Sequence, residues 1–211
     1  MKDIILVMGG SFNPPTIAHL NLMLTAVDAL HAKKGIFVPA GGKYLRRKMR
    51  KAGHPEEVLP DFLRLELVAA MADTDPRLEV EDVEILHPKG WYTFETLSYI
   101  HEKYPEAQSY SLIGDDKLDL FLRAHRLEPF LEKFGYAVFR REVPDMDAVL
   151  RENETAWARR EKFLSVPTPE GVEGISSTLL RQRLRAGDPA AAELVHPGVW
   201  EKLKDYTFPE I

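Results

Sequence analysis

Short apolar runs alternate along this chain with longer segments whose apolar residues recur every three to four positions. The runs are rich in valine, isoleucine, leucine and phenylalanine and are bounded by glycine, proline or acidic residues, a pattern typical of buried or half-buried strands. They predict strands at residues 4–8, 36–39, 78–85, 109–113, 135–140 and 163–166.

The segments between these runs predict helices. They lie at residues 15–32, 61–72, 93–104, 145–160 and 194–203, and a further helix begins near Ser176. On the helix at 61–72, Phe62, Leu65, Ala69 and Met71 are expected to face inward. The alternation predicts an α/β fold, a doubly wound parallel sheet of about five or six strands with helices on both faces. Ligand sites of such sheets lie at the carboxyl ends of the strands.

Length and composition favour a single domain. A chain of 211 residues and 24.0 kDa can bury a substantial core, so we expect one domain over residues 1–211, with a helical segment from about 176 to 211 packed on it. The net charge of −5 argues against broad binding to nucleic acid. No apolar run approaches the ~20 residues that span a bilayer, so we expect a cytoplasmic protein. The absence of cysteine excludes disulfides and thiolate chemistry.

The first predicted strand runs into Gly9, Gly10, Ser11 and Phe12, and then into Asn13 and two prolines. Glycine lets a ligand approach the backbone closely, and the first turn of the following helix offers unpaired N–H groups. This loop is therefore a candidate phosphate site.

Thr16 and His19 are three residues apart at the start of the first helix and are expected to share one face. A histidine there can donate a hydrogen bond to a phosphoryl oxygen as negative charge builds up on it. The alternative is a capping threonine and a histidine that packs or meets solvent.

A second helix start lies far along the chain. Ile175, Ser176, Ser177 and Thr178 bring hydroxyls and exposed amides together, and Arg181 lies one turn later on the face of Ser177. Alone, the segment would suit an N-cap followed by a solvent-facing arginine. Together with the glycine loop, it predicts that two helix N-termini hold one polyphosphate.

Lys43 follows two glycines at the end of the second strand, where a positive charge could attract phosphate. The basic run at residues 46–51 is expected to form a solvated loop. Trp91, Tyr92 and Thr93 open a later helix, with Thr93 as its N-cap. These aromatics could stack on a planar heterocycle or form a hydrophobic staple.

The run from Gly10 to Leu20, Gly-x-Phe-Asn-Pro-x-Thr-x-x-His-Leu, resembles the first signature of the nicotinamide/nicotinate mononucleotide adenylyltransferases. The run Gly174-Ile-Ser-Ser-Thr-Leu-Leu-Arg181 resembles the second. The resemblance implies a Rossmann-like nucleotidyltransferase that is active in NAD biosynthesis. It also implies that Gly114 and Asp116 lie by the nucleotide. Where the family usually has a tryptophan that stacks on the ring, this chain has Ala124, so Trp91 becomes the expected stacking residue.

The resemblance implies transfer of the adenylyl group of ATP to nicotinate or nicotinamide mononucleotide, with release of pyrophosphate. His19, Thr16 and Arg181 would be catalytic. ATP and its phosphates would be bound by Gly9, Gly10, Ser11, Phe12, His19, Lys43, Gly114, Asp116, Ile175, Ser176, Ser177, Thr178 and Arg181. The mononucleotide would be bound by Asn13, Trp91, Tyr92 and Thr93. Mg²⁺ would be held mainly by the ATP phosphates.

Two alternatives stay open. A related enzyme could use another acceptor, such as phosphopantetheine, FMN or a substrate of cytidylyl transfer. A non-catalytic nucleotide sensor could keep the pocket without turnover. The sequence leaves open the choice between the acid and the amide, and the oligomeric state.

Overall fold

Six strands form one sheet. The computed structural model describes residues 2–87, 91–140 and 145–208. The strands are β1 (Ile4–Gly10), β2 (Lys34–Pro39), β3 (Leu78–Val80), β4 (Gln108–Gly114), β5 (Gly135–Phe139) and β6 (Phe163–Val166). They run parallel in the order β3-β2-β1-β4-β5-β6. A strand lies in every predicted segment, so the prediction of a doubly wound, Rossmann-like α/β sheet is confirmed.

Helices connect the strands. They are α1 (Ile17–Ala29), α2 (Gly42–Lys51), α3 (Asp61–Ala72), α4 (Val83–Leu86), α5 (Thr93–Lys103), α6 (Leu118–Leu122), α7 (Leu127–Lys133), α8 (Met146–Arg151), α9 (Glu154–Ala158), α10 (Ser177–Arg185) and α11 (Pro197–Leu203). Short 3₁₀ turns lie at Pro55–Glu57, Asp115–Lys117, Arg160–Lys162 and Pro189–Leu194. No helix within the described ranges has both the length and the apolar character to cross a membrane.

The chain forms two compact units, and each is built from separated segments. The first contains Met1–Met8, Leu24–Gly35 and Tyr92–Pro169, and the second contains Gly9–Met23, Ile36–Trp91 and Glu170–Ile211. The single domain over residues 1–211 therefore stays a prediction.

The first unit is built on β4 and β5. In their register Tyr110 lies opposite Gly135, and Leu112 lies opposite Ala137. Any Cβ at position 135 would collide with the Tyr110 ring and with the carbonyl of Lys162, so this close approach of strands requires glycine. Tyr136 is buried, and its burial raises the pKa of the phenol above the ordinary value.

In the second unit, α3 packs against α11. The face of α3 that enters the core carries Leu63, Leu67 and Met71. Of the predicted inner face, Met71 is fully buried, Leu65 and Ala69 are half-buried, and Phe62 is wrong, since it is 68% exposed. The helix has buried residues at 63–64, 67–68 and 71–72, and several of its apolar residues fall outside that stripe.

The basic run is helical, so the predicted loop at residues 46–51 is wrong. Leu45 and Met49 lie four residues apart on α2 and are buried, which gives this otherwise charged segment an apolar face. The last turn carries Lys48, Arg50 and Lys51, and cations there are favoured by the helix dipole.

Other predicted bounds also change. The segment 78–85 leaves the sheet after Val80, because Asp82 takes the N-cap position of α4. The helix predicted at 145–160 is split, because the side chain of Asn153 accepts a hydrogen bond from Ala156 N and so starts a new helix. The first helix begins at Ile17 rather than Pro15 and ends at Ala29.

Candidate active site

The loop between β1 and α1 folds back on itself around Phe12. The ring of Phe12 is 1% exposed and makes edge contacts with Phe37 at 5.7 Å and His19 at 5.0 Å. A Cβ on Gly10 would lie 3.0 Å from this ring, so the fold of the loop favours glycine there. Phe12 itself has a φ of 42°, a conformation that few side chains adopt. Because the ring is buried, any contact of Phe12 with ATP would have to come through its backbone.

Asn13 is also turned inward, with 1% exposure. Its amide nitrogen donates to the carbonyl of Glu57 at 2.7 Å, and its amide oxygen accepts from Leu59 N at 2.8 Å. The bond from Asn13 to Pro14 is cis. The side chain thus holds the loop to the connection between α2 and α3, while its predicted contact with the mononucleotide stays a prediction.

Thr16 and His19 contact each other directly. Nδ1 of His19 accepts from the backbone N–H of Thr16 at 3.0 Å, and Oγ1 of Thr16 is 2.8 Å from the same nitrogen. A backbone N–H can only donate, so Nδ1 is the acceptor and the neutral ring carries its proton on Nε2. The arrangement therefore presents Nε2 as a hydrogen-bond donor at the start of α1.

Arg64 on α3 supports this loop through a hydrogen bond to the loop's backbone. Its side chain is 0% exposed, and Nη1 donates to Ser11 O at 2.8 Å. Nη2 donates to Ala40 O at 2.6 Å and to Asp61 Oδ1 at 2.7 Å. A buried guanidinium needs such partners, because an unpaired charge is costly away from water. The sequence analysis did not single out Arg64.

The second predicted segment meets the first. Ser176 caps α10 by accepting from Leu179 N at 3.2 Å, and the hydroxyl of Ser177 donates to Pro14 O at 2.8 Å. These last two residues are 163 positions apart in sequence. The two helix starts are therefore in direct contact, which is the arrangement that the sequence predicts.

Arg181 adds charged hydrogen bonds to this contact. It is 5% exposed, with Nη1 donating to Asn13 O at 2.8 Å and Nε donating to Glu57 Oε2 at 2.6 Å. Nη2 lies 3.4 Å from Thr178 Oγ1. In this structure the guanidinium is thus bonded to protein groups, and its predicted contact with phosphate stays a prediction. Glu57, like Arg64, was missed, because an acidic residue in a charged segment carries no motif.

Lys43 and Trp91 line one cleft of about 180 Å³. The indole of Trp91 stacks on the imidazole of His87, with ring centres 3.8 Å apart. Asp61 lines the same cleft and also binds Arg64, so the cleft adjoins the support of the glycine loop. The cleft is lined by Gly41, Gly42, Lys43, Tyr44, Arg46, Asp61, Glu84, Ile85, His87 and Trp91.

Lys48, within the basic run, also contacts the loop. Its ammonium donates to Ser11 Oγ at 3.0 Å. The helix α2 thus brings one of its cations to the predicted phosphate loop. The sequence analysis expected residues 46–51 to be an irregular solvated segment and therefore did not predict this contact.

Gly9 lies in β1, and Ile175 directly precedes the N-cap of α10. The other predicted residues, Gly114, Asp116, Tyr92 and Thr93, belong to the first unit. A Cβ on Gly114 would collide with the carboxylate of Asp116, which pairs with Lys117 at 2.9 Å. Tyr92 is 76% exposed and occupies the N-cap position of α5, so the prediction that Thr93 is the N-cap is wrong. Glu95 accepts from Tyr92 N at 3.2 Å and so fixes this helix start. Thr93 is the first helical residue.

Two helix starts joined at the end of a strand bring backbone amides and hydroxyls together, which suits a phosphate-bearing ligand. The model of the cytidylyltransferase-like family matches residues 7–183, which include both segments. The chain therefore belongs to the cytidylyltransferase-like family.

Individual relatives indicate which members of this family the chain resembles. A protein of Bacteroides thetaiotaomicron named probable nicotinate-nucleotide adenylyltransferase is 32% identical over 200 residues, which cover 95% of this chain and 90% of the relative. One of Clostridium botulinum (strain Hall) with the same name is 26% identical over 183 residues, covering 86% and 87%. The chain is thus similar over most of its length to nicotinate-nucleotide adenylyltransferases.

A solved structure supports the fold. The Plasmodium falciparum nicotinic acid mononucleotide adenylyltransferase complexed with APC superposes with a TM-score of 0.71 at 16% identity. The match covers 97% of this chain and 98% of that one.

Proposed function

We propose that this protein transfers the adenylyl group of ATP to a pyridine mononucleotide. An oxygen of the mononucleotide phosphate forms a bond to the α-phosphorus of ATP. The bond from that phosphorus to the bridging oxygen breaks, and the electron pair leaves with pyrophosphate. The observation that carries the proposal is the direct contact of Ser177 and Arg181 with the loop that holds His19.

The names of the relatives support nicotinate mononucleotide as the acceptor, so that the product would be deamido-NAD. The amide remains the competing acceptor.

His19 acts on the transferring phosphate in this proposal. Its Nε2–H donates to an oxygen of the α-phosphate, and the bond strengthens as charge grows on that oxygen. Thr16 keeps the ring in the required tautomer through its contacts with Nδ1. No proton transfer to carbon and no covalent enzyme intermediate is needed, so the protein contributes positioning and charge neutralisation.

The β- and γ-phosphates are assigned to the start of α10. Its first-turn amides and the exposed hydroxyl of Thr178 can donate to phosphate oxygens, together with the segment from Ile175 to Ser176. Arg181 adds its charge from within the protein, and Lys48 adds another beside Ser11. Gly9 and Gly10, at the end of β1, are assigned to the nucleotide in the same proposal. The roles of Gly114 and Asp116 stay predictions of the sequence.

Mg²⁺ would accompany ATP and add positive charge to its phosphates. Among the described residues, His54, Glu56 and Glu57 have the spacing of metal ligands. Arginines lie against both carboxylates of this group, so it does not suit a resident cation. We therefore keep the ion on the phosphates.

The mononucleotide is assigned to the cleft that holds Lys43 and Trp91. The indole can stack on the pyridine ring, a contact worth about 1 kcal/mol, and Lys43 can pair with an anionic group. The contacts of Asn13, Tyr92 and Thr93 with the mononucleotide stay predictions of the sequence. Assembly into a homo-oligomer and a cytoplasmic location remain predictions.

An acceptor panel tests the function. The purified protein is given ATP and Mg²⁺ with nicotinate mononucleotide, nicotinamide mononucleotide, phosphopantetheine or FMN, and CTP with a cytidylyl acceptor. Pyrophosphate release and the new dinucleotide are measured. We expect the highest kcat/KM with nicotinate mononucleotide. A preference for another acceptor identifies a related enzyme, and ATP binding without any product identifies a sensor.

A further inference from the structure

Glu57 is the residue on which both signature segments converge. It ends the short turn after α2 and is 8% exposed. Its backbone carbonyl accepts from the side chain of Asn13 at 2.7 Å, and its carboxylate accepts from Nε of Arg181 at 2.6 Å. One residue thus contacts the first signature through its main chain and the second through its side chain.

A second arginine of α10 reaches the same carboxylate. Nε of Arg185 lies 3.3 Å from Glu57 Oε1, on the oxygen that Arg181 leaves open. Arg181 and Arg185 are four residues apart and so lie on one face of the helix. The carboxylate therefore sits between two guanidinium groups of α10.

This pairing determines how Arg181 is held. The guanidinium is planar, and with Nε on Glu57 and Nη1 on Asn13 O its plane is fixed by two separate bonds. Without a counter-charge a guanidinium with 5% exposure would be costly to keep buried, and it would turn toward water or toward another anion.

We propose that Glu57 is a positioning residue that sets the orientation of Arg181 and thereby the fit of the α10 start to the ATP phosphates. Glu57 itself touches no substrate. The inference rests on the proposed adenylyl transfer, because that function gives the α10 start its ligand. It also explains why a buried acidic residue is placed beside a site for an anion, where it would otherwise weaken binding.

The neighbouring Glu56 provides a matched control. It carries the same charge and lies one residue away, but its carboxylate lies 3.7 Å from Arg185, whereas the ion pair of Arg181 is with Glu57. The substitutions Glu57→Gln and Glu56→Gln therefore remove the same charge from the same turn. Both keep the size of the side chain, so neither opens a cavity.

The experiment compares steady-state kinetics of the two variants with ATP and nicotinate mononucleotide. For Glu57→Gln we expect KM for ATP to rise about tenfold and kcat to fall, because a charged hydrogen bond to Arg181 becomes a neutral one. KM for the mononucleotide should stay within about twofold. Glu56→Gln should match the wild type in all three parameters. A general loss of structure would instead lower the thermal midpoint and move both KM values.

A double-mutant cycle tests whether Glu57 acts through Arg181. Glu57→Gln is repeated in an Arg181→Gln background, and the dissociation constant for ATP is measured by calorimetry in the absence of acceptor. We expect the effect of Glu57→Gln to shrink to less than about twofold there. An undiminished effect, or equal behaviour of Glu57→Gln and Glu56→Gln, overturns the proposal. If the wild type binds ATP but forms no dinucleotide, the proposed function fails, while the binding cycle still decides the role of Glu57.

Discussion

The two parts of the candidate site in the second unit are built differently. On the phosphate side, Asn13, Thr16, Arg64 and Arg181 are each 5% exposed or less, and each is bonded to protein groups. In the cleft that contains Lys43 and Trp91, the lining side chains reach solvent, and Tyr44 is 49% exposed.

This difference separates two tasks. Neutralising a developing charge requires donors whose positions are set before the substrate arrives, because reorganisation during the reaction adds to the barrier. Recognition of the acceptor requires mainly surface and a few polar contacts, which an open cleft can provide. Substitutions on the phosphate side should therefore change stability and kcat, whereas substitutions in the cleft should change KM for the acceptor.

The largest effect on stability is expected for Arg64→Ala. The change removes three hydrogen bonds, leaves Ser11 O and Ala40 O without their donor and opens a cavity. We expect a loss of about 3–5 kcal/mol in the free energy of unfolding, measured by urea denaturation. Arg50→Ala on the exposed face of α2 is the control and should change stability by less than about 0.5 kcal/mol. Equal effects of the two changes would contradict the role of Arg64 as a support.

The largest effect on catalysis is expected for His19→Ala. Removing a donor to the transferring phosphate should lower kcat by about 10²–10³ or more. His19 is half-buried, so the fold and the binding of the mononucleotide should remain largely intact. The readouts are single-turnover rates and circular dichroism, with the exposed His31→Ala as control. Near-normal turnover of His19→Ala would remove histidine from the mechanism.

A smaller and selective effect is expected for Trp91→Ala. Loss of a stacking surface worth about 1 kcal/mol should raise KM for nicotinate mononucleotide about fivefold. KM for ATP should not change, since the indole is in the cleft rather than at the glycine loop. Trp157→Ala is the matched control, because that indole packs between Arg151 and Arg160 in the first unit. A rise in KM for ATP alone would reverse the assignment of the two regions.

The sequence predicts the strands and the two signature segments because their signals are local. A β-branched run ending in glycine, or a serine directly before a helical pattern, can be recognised from neighbouring residues alone. That the two signature segments meet was also predictable, since both imply one ligand, but the bond from Ser177 to Pro14 O was not.

The supports of the site are not predictable in this way. Arg64 and Glu57 look like ordinary charged residues of a helix and a turn, and only tertiary contacts bury them. The basic helix α2 was missed because its apolar face consists of few residues. Its many charges indicated a solvated loop more strongly than these few residues indicated a helix. Hydrogen bonds and ion pairs between residues far apart in the chain produce no periodic pattern in the sequence, so they cannot be predicted from it.

The smallest effect is expected for the ion pair of Asp75 and Arg77, which lies outside both regions. It shows how much a more exposed ion pair contributes to the free energy of unfolding. Hydrogen bonds from the side chain and the backbone of Arg77 lower the pKa of Asp75 from 3.8 to about 2. The folded value lies below the unfolded one, so the pairing stabilises the fold above about pH 4 and is lost as the pH falls toward 2. Asp75→Asn should cost about 1 kcal/mol at pH 7 and progressively less as the pH falls through 2, in urea titrations across this range. A cost that does not depend on pH would show that the carboxylate charge of Asp75 contributes nothing to the stability of the fold.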